Sequence, residues 1–167
     1  MGTNFENIYS LAKVVMNDYK IDQLALSNYN SFLELMRSYL ISSLGDFDGN
    51  LTPLTYHSET TTEQVVVDGN ETTVEKTEWY FDNVLSTDEI SILADLTVMK
   101  WFQTTINDIT AFSPHLSNKD FKQLQESQSL KQKSDYYDKL YERVHKKITE
   151  YQLKRLGELK YWGDRIW

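Results

Sequence analysis

The segment LSTDEI at residues 85–90 constrains this chain more than any other, because it carries all the signals of a helix start. The Ser86 hydroxyl can accept a hydrogen bond from the Glu89 amide, while the Glu89 carboxylate reaches back to the Ser86 amide, which makes a capping box. Leu85 and Ile90 occupy the two positions of a hydrophobic staple around it. A helix is therefore predicted to begin here.

The helix that follows is apolar around much of its circumference. Ser113-Pro114 ends it, since the residue before proline disfavours helical geometry. A helix with so wide an apolar surface is contacted on several sides, so we predict that it is the hub of the fold. Its apolar residues include Leu93, Ala94, Val98, Met99, Trp101, Phe102, Ile106 and Ile109, with Ile92 and Leu96 widening the stripe.

Two amphipathic helices are predicted before this hub. Apolar residues recur at spacings of three and four over residues 4–19, with Asn4 as the N-cap. A second stripe covers about 28–44, with Ser27 or Asn28 as its cap and Gly45 as its stop. The connection between them, through Ile21 and Leu24, is short, which favours an antiparallel pair.

A β-hairpin is predicted between these helices and the hub. Thr- and Val-rich runs flank Asp68-Gly69-Asn70, a sequence that accepts the positive φ angles of a tight turn. We predict strands at 60–67 and 71–79. Because an isolated hairpin buries too little surface to be stable, it should lie on a helix, pair with another chain or be partly mobile.

The last part of the chain is predicted to be a long helix and an aromatic tail. The helix should occupy about 127–156 and end at Gly157, and the preceding stretch from His115 to Gln125 is polar. Residues 158–167 read ELKYWGDRIW, which is unusually aromatic for a tail. Trp, Tyr and Arg are typical of interface hot spots. The tail is expected either to insert into a partner or to fold back on the core.

These elements define the predicted fold class as mainly α. We predict a bundle of about four helices with a long C-terminal helix and an inserted β-hairpin at about 60–79. A chain of 167 residues suits one domain. The domain is predicted to span residues 1–157, with its hairpin insertion at about 55–80, and to be followed by the tail.

The net charge of −8 is unevenly distributed. Residues 1–118 hold 5 Lys and Arg against 17 Asp and Glu, whereas residues 119–167 hold 12 against 8. This asymmetry suits head-to-tail contacts between copies or with a partner. The alternative is a basic helix that lies beside acidic ones within one fold.

No arrangement typical of catalysis or metal binding is found in the sequence. There are no cysteines and only three histidines, which we read as surface residues: His57 and His115 in loops and His145 in a helix. Asp46 and Asp48 resemble a fragment of a calcium loop that lacks its later ligands, so we read them as a polar turn. We therefore predict no enzyme activity and no cofactor.

Binding to DNA and insertion into a membrane are not expected either. The basic residues of the 143–160 segment alternate with Glu142, Glu150 and Glu158, as in a solvated helix with i,i+4 pairs. No apolar run is long enough to cross a bilayer, and the first residues are too acidic and polar for a signal peptide. We expect a soluble protein made in the cytoplasm.

Residues 81–155 resemble the small head–tail connector (neck or adaptor) proteins of tailed bacteriophages, and residues 28–48 do so loosely. Those proteins share a helix entry of the form Phe-x-x-x-Leu-[Ser/Thr]-x-x-Glu, an apolar helix with a Trp-[Phe/Leu] pair, a DFK turn and a long helix. The matching residues here are Phe81, Leu85, Ser86, Glu89, Trp101-Phe102, Asp120-Phe121-Lys122 and the helix from about 127.

The resemblance implies a structural virion protein at the head–tail neck. It implies a ring, usually of twelve copies, that docks under the portal protein, extends the channel for genome DNA without reading its sequence, and seats the tail or stopper. The tail residues would then contact the portal: Lys160, Tyr161, Trp162, Arg165, Ile166 and Trp167. The hairpin would line the lumen or face the tail, through Glu63, Asp68, Asn70, Glu71 and Glu75. The residues alone fit equally a non-catalytic adaptor or regulator that binds a partner through its last helix and tail.

Overall fold

The computed structural model describes residues 2–47, 49–50, 52–67, 70–112 and 120–163. In these ranges the chain forms five α-helices and a two-stranded antiparallel sheet. The helices are α1 (Phe5–Met16), α2 (Tyr19–Ser27), α3 (Tyr29–Ser43), α4 (Thr87–Phe112) and α5 (Asp120–Gly163). Strands β1 (Tyr56–Val67) and β2 (Asn70–Phe81) lie between α3 and α4 in the chain. The predicted mainly α fold with an inserted hairpin and a long C-terminal helix is confirmed.

The single helix predicted at 4–19 is instead interrupted at Asn17. That residue has a φ of 44°, in the left-handed region that Asn tolerates better than most residues, and its N–H donates to the carbonyl of Lys13. Asp18 then caps a new helix by accepting from the amides of Lys20 and Ile21. The predicted short connection is therefore α2, which adds a fifth helix to the fold.

Helix α4 is the hub, as predicted. It packs against α1, α3 and α5, and its buried residues face all three. Trp101 and Phe102 are buried and their rings lie 4.4 Å apart, while Leu85 is buried at the helix entry. The fully buried side chains of α4 include Ile92, Leu93, Leu96, Thr97 and Val98.

Helix α5 has 44 residues, a length of about 66 Å. It begins at Asp120 rather than near 127, and the predicted stop at Gly157 is wrong because the helix continues to Gly163. A glycine inside a helix costs only about 1 kcal/mol relative to alanine, which the helical residues on both sides offset. Its buried stripe against α4 consists of Leu140, Val144, Ile148 and Tyr151.

The hairpin is longer than predicted, and its base is anchored to α1. Twelve residue pairs run from Tyr56↔Phe81 to Val67↔Asn70. At the base, the Phe5 ring lies 4.5 Å from that of Phe81 and 6.3 Å from that of Trp79. Of the three environments predicted for the hairpin, the base therefore has the first, because it lies on a helix.

The residues before α1 fasten the hairpin base to the start of α4. Thr3 donates its N–H to the Asn83 carbonyl, accepts from the Phe81 amide, and accepts at its hydroxyl from the Leu85 amide at 2.8 Å. Gly2 lies so close to the Phe81 carbonyl that an added Cβ would overlap it. The beginning of the described chain is thus part of the tertiary structure.

Candidate functional site

The capping box predicted at Ser86 and Glu89 is present and connects α4 to α5. The Ser86 amide donates to Glu89 Oε2 at 2.6 Å, and the Glu89 amide donates to the Ser86 hydroxyl at 3.3 Å. The other carboxylate oxygen of Glu89 accepts from the Tyr151 hydroxyl at 2.8 Å. A residue predicted to cap one helix therefore also holds the next one.

Glu89 is 2% exposed and stays ionised because its partners offset the cost of burial. Burial alone raises the pKa of a carboxyl. Hydrogen bonds from Thr52, the Ser86 amide, Tyr151 and the Ser86 hydroxyl outweigh it and hold the pKa of Glu89 below its ordinary value. The carboxylate thus joins three parts of the fold: Thr52 before β1, α4 and α5.

The loop before β1 is closed down on α5. Phe47 is buried, with its ring 5.5 Å from that of Tyr151. Gly49 has a φ of +72°, and a Cβ added there would meet the side chain of Gln152 at 2.2 Å. Glycine suits this position because its backbone angle is one that other residues rarely adopt, whereas the flexible Gln152 side chain could move aside.

A second buried carboxylate, Asp95, fixes the register of α5 on α4. Its side chain is 4% exposed; Arg143 Nη2 lies 3.1 Å from Oδ1 and Lys147 Nζ lies 2.5 Å from Oδ2. Lys147 also donates to the Ser91 hydroxyl at 3.1 Å. Since Arg143 and Lys147 are one helical turn apart, a shift of α5 along its axis would break both contacts.

The charge asymmetry of the sequence is matched inside the fold by further pairs of this kind. Lys154 lies 2.8 Å from Asp88 in the first turn of α4. The alternative of a basic helix lying beside an acidic one is therefore realised along the α4–α5 contact. The predicted i,i+4 pairing on α5 is also present, between Lys146 and Glu150 at 3.8 Å.

His57 lies in β1, not in a loop as predicted, and clamps the hairpin base. Its Nδ1 is 2.5 Å from a carboxylate oxygen of Asp82, and its Nε2 is 3.3 Å from Glu59. Hydrogen bonds to Asp82 and then Glu59 raise the pKa of His57 above its ordinary value. His145 is exposed on α5 as predicted, while His115 lies outside the described residues.

The part of the chain that the structure describes contains no group of three or more His, Asp or Glu side chains that could hold a metal ion. None of its helices combines the length and the apolar character needed to cross a bilayer. Two surfaces of the described residues stand out, a groove beside β2 and an exposed apolar edge of α5.

A groove of about 370 Å³ lies between β2 and the helices α1 and α3. Its walls carry four carboxylates and two cations, together with four aromatic side chains. The carboxylates and cations are Glu6, Glu34, Glu75, Glu78, Arg37 and Lys76, and the aromatic residues are Phe5, Tyr9, Tyr29 and Trp79. We call this surface the β2 groove.

Two polar contacts shape the β2 groove. The Arg37 guanidinium lies over the Trp79 ring at 4.9 Å from its centroid, a cation–π contact. The buried indole N–H of Trp79 has no hydrogen-bond acceptor among the described residues. Tyr29 donates to Glu6 Oε2 at 3.3 Å.

Two tyrosines of the β2 groove have raised pKa values. Burial raises the pKa of Tyr9 well above that of a free phenol, and the Arg37 charge offsets this in part. Burial, and then the Glu6 charge, also raise the pKa of Tyr29. Both hydroxyls therefore stay protonated hydrogen-bond donors over the physiological range of pH.

Sequence reasoning did not identify the β2 groove. Its residues come from three segments that are far apart in the chain, and none forms a motif with its sequence neighbours. The only local signal is the position of Trp79 next to the polar end of the predicted second strand. Glu75, predicted to belong to the hairpin surface, is the one predicted site residue that lines this groove.

The remaining predicted site residues divide into three groups. The cap and core residues lie together at α4: Leu85, Trp101 and Phe102 are buried, and Ile90 is partly buried against the core. In the hairpin, Glu63 lies in β1 and Asn70 and Glu71 in β2, while Asp68 lies outside the described residues. In the tail, the backbone of Lys160, Tyr161 and Trp162 belongs to α5, and Arg165, Ile166 and Trp167 lie outside the described residues.

Helix α5 presents an apolar edge near its end. Leu153 is 62% exposed and Leu156 is 58% exposed. Their spacing of three places them on one face of the helix, close to the segment predicted to bind a partner.

Compared with models of known protein families, with curated proteins and with solved structures, the chain gives no match.

Proposed function

We propose that this chain is a non-catalytic structural subunit of the head–tail connection of a tailed bacteriophage. Copies would form a ring of twelve under the portal protein. The ring would extend the DNA channel and seat the tail or stopper proteins. The subunit would be made in the host cytoplasm and reside in the neck of the virion.

The observation that carries this proposal is the shape of the subunit, a small helical core with two long extensions. The hairpin has strands of 12 residues, and its described side chains between Ser58 and Thr77 are exposed. Helix α5 continues roughly two turns past the Lys154–Asp88 pair. A ring subunit needs separate surfaces for its neighbours and for the structures above and below it, and two extensions supply them.

The resemblance of residues 81–155 to connector proteins supports the same assignment. Its motif residues have structural reasons to be where they are: Ser86 and Glu89 cap the hub helix, and Trp101 and Phe102 are buried in it. Such residues specify a fold more than an activity, so the resemblance supports the architecture of a connector. The ring and its place in the virion are part of the proposal and go beyond this architecture.

Charge supports a role for the hairpin in the channel or on its tail side. Between Tyr56 and Phe81 the sequence has six acidic residues and one lysine. Phosphates bind tightly where Lys and Arg are clustered, so an acidic surface lets DNA pass without being held. The hairpin residues Glu63, Asp68, Asn70, Glu71 and Glu75 are the proposed contact surface.

The test is mass photometry of the purified protein, alone and mixed with the portal oligomer from the same genome. The proposal expects an added mass that corresponds to about a dozen copies per portal. No added mass at micromolar concentrations of a folded protein would contradict it.

Truncation after Gly157 then tests the tail as the portal interface. The variant keeps Tyr151, the last buried side chain described on α5, and Lys154, so it should stay folded by circular dichroism. It should lose portal binding, and so should the double variant Trp162→Ala/Trp167→Ala. Full retention of binding by both would exclude the tail as the interface.

The second candidate is a helical adaptor that binds one protein partner through α5 and the tail. The exposed Leu153 and Leu156 favour it, because apolar residues on one helix face suit a partner groove. An adaptor predicts a complex of small fixed stoichiometry in place of a ring on a portal. The double variant Leu153→Ala/Leu156→Ala should weaken such a complex.

A further inference from the structure

One edge of β2 is open where the β2 groove runs beside it. The Asp82 amide donates to Thr55 on the β1 side, whereas the Phe81 amide donates away from β1 to Thr3. Because backbone groups alternate along a strand, those of Thr77 and Glu75 also point away from β1. No hydrogen bond from the described part of the chain reaches these outward groups.

The chain itself already shows how this edge can be extended. Asn4 forms an antiparallel bridge with Tyr80, next to the bond between Phe81 and Thr3. The chain then turns into α1, with Asn4 as its N-cap. An isolated bridge therefore covers the base of β2, and the edge above it is left open beside the β2 groove.

The charge of the β2 groove selects the kind of segment that fits. Among the described residues that line the groove, the four carboxylates of Glu6, Glu34, Glu75 and Glu78 outnumber the two cations of Arg37 and Lys76. One of the four, Glu78, already pairs with Lys76. A second hairpin of this chain is a poor fit, because its six acidic residues would meet like charges. Lysine or arginine side chains on an incoming strand would meet opposite charges instead.

The aromatic wall of the β2 groove also suits a basic peptide ligand. The Trp79 ring already holds the Arg37 guanidinium at 4.9 Å, so this aromatic surface is compatible with cationic groups.

We propose that the β2 groove binds an extended, basic peptide segment of a partner protein as an added strand. The segment pairs with the outward backbone of Thr77 and Glu75, next to the bridge between Asn4 and Tyr80. Its Lys or Arg side chains face Glu6 and Glu34. The site includes no residue of the C-terminal tail, so it does not depend on the proposed portal contact.

The probe is a synthetic peptide of about eight residues, a typical strand length, in which Arg and Val alternate. The first control peptide has Glu in place of Arg, and the second has N-methyl groups on alternate amides, which block strand pairing. We expect only the first peptide to bind by fluorescence anisotropy, and added salt should weaken its binding. On binding, hydrogen exchange at the amides of Thr77 and Glu75 should slow.

A pair of matched protein variants separates edge pairing from simple charge attraction. Thr77→Pro removes an outward N–H on the groove side, and Thr60→Pro removes one on the far edge of β1. Thr60 and Thr77 are register partners with hydroxyls 3.1 Å apart, so both variants lose the same side-chain contact. Proline is tolerated at such edge positions, and circular dichroism checks the fold.

Thr77→Pro should weaken peptide binding at least about tenfold, because one backbone hydrogen bond to the peptide is lost and the adjacent one is disturbed. Thr60→Pro should leave peptide binding unchanged. Glu34→Lys should weaken binding of the Arg peptide, because Glu34 lies on the groove side of α3. It should leave the fold undisturbed. Equal binding of the N-methylated peptide, or equal loss in the two proline variants, would overturn the proposal. Slowed exchange at Thr77 with rising protein concentration and no peptide would also overturn it, in favour of a second copy as the occupant.

Discussion

Polar groups are paired at the contact between α4 and α5, whereas several lack partners within the described chain along the outer edge of β2. Glu89 and Asp95 are both buried at the α4–α5 contact, and each carboxylate has several partners. Along β2, the outward backbone of Thr77 and Glu75 and the indole N–H of Trp79 lack partners within the described chain. The carboxylates of the first region stabilise the fold of the chain itself. The outward backbone groups of the second region are not used for this.

The largest expected effect tests whether the hairpin base belongs to the rigid region. Phe5→Ala should lower the free energy of unfolding by about 4 kcal/mol, since the ring is buried against Tyr9, Tyr56, Trp79 and Phe81. Urea unfolding followed by circular dichroism measures it. Tyr19→Ala, at an aromatic that is 73% exposed, is the control and should change stability by less than about 0.5 kcal/mol. A loss below about 1 kcal/mol for Phe5→Ala would mean that the base is not anchored.

Glu89→Ala should destabilise the protein by about 3 kcal/mol, because it removes the carboxylate half of the capping box and the hydrogen bond that the buried Tyr151 hydroxyl donates to it. Glu59→Ala, an exposed carboxylate on the hairpin, is the matched control and should be nearly neutral. Urea midpoints of the two variants make the comparison directly. Similar losses in both would contradict the contrast between the two regions.

Glu89 should contribute to the pH dependence of the free energy of unfolding. Its pKa is lowered in the folded state from the ordinary 4.5. Its contribution is therefore present above the ordinary pKa and is lost as pH falls through the lowered one. The stability of Glu89→Gln should depend less on pH than that of the wild type. The difference between their urea midpoints should shrink as the pH falls from about 6 to about 3. Parallel acid curves would show that this carboxylate does not contribute.

Asp95→Asn should cost about 1.5 kcal/mol, less than the loss of Glu89, because Arg143 and Lys147 are partly exposed and regain water when their partner is removed. A double-mutant cycle with Arg143→Ala should give a coupling of about 0.5 kcal/mol or more. The cycle on the exposed pair Lys146 and Glu150 should give almost none. Equal coupling in both cycles would contradict a special role for the buried carboxylate.

The smallest effect concerns His57 at the hairpin base. Its pKa is raised above the ordinary 6.5 by the hydrogen bond with Asp82 and then by Glu59. Any stabilisation is therefore present below pH 6.5 and is lost as pH rises through the raised pKa. An NMR titration should show the raised pKa, and Asp82→Asn should move it back towards the ordinary value. An unchanged titration in Asp82→Asn would rule out the clamp.

The features that sequence predicted correctly depend on residues close together in the chain. The capping box needs Ser86 and Glu89, three positions apart, and the hairpin needs only two neighbouring Thr- and Val-rich runs. The turn predicted at Asp68 and Gly69 lies outside the described residues. The α1–α2 break was missed because Asn17 is an ordinary polar residue until its φ angle is known. The end at Gly157 was wrong because a single glycine is a weak stop inside a helix of 44 residues.

The β2 groove could not be predicted because it is a product of tertiary packing. Arg37 and Trp79 are 42 positions apart, and nothing in either neighbourhood indicates that they stack. The charge asymmetry was visible in the sequence, but both interpretations of it fitted the counts. The contacts of Asp95 and Asp88 with α5 show that part of the asymmetry is neutralised within the chain.

The contacts of Thr3 have a consequence for how the chain acquires its structure during synthesis. Thr3 bonds to Phe81, Asn83 and Leu85, and the bond to Leu85 joins positions 82 residues apart. An emerging chain lacks all of these partners until Phe81 has left the exit tunnel, so Thr3 cannot dock before that point. Contacts of such long sequence separation slow folding. Docking of the segment before α1 is therefore a late event that waits for the hairpin base and the entry to the hub helix to leave the exit tunnel.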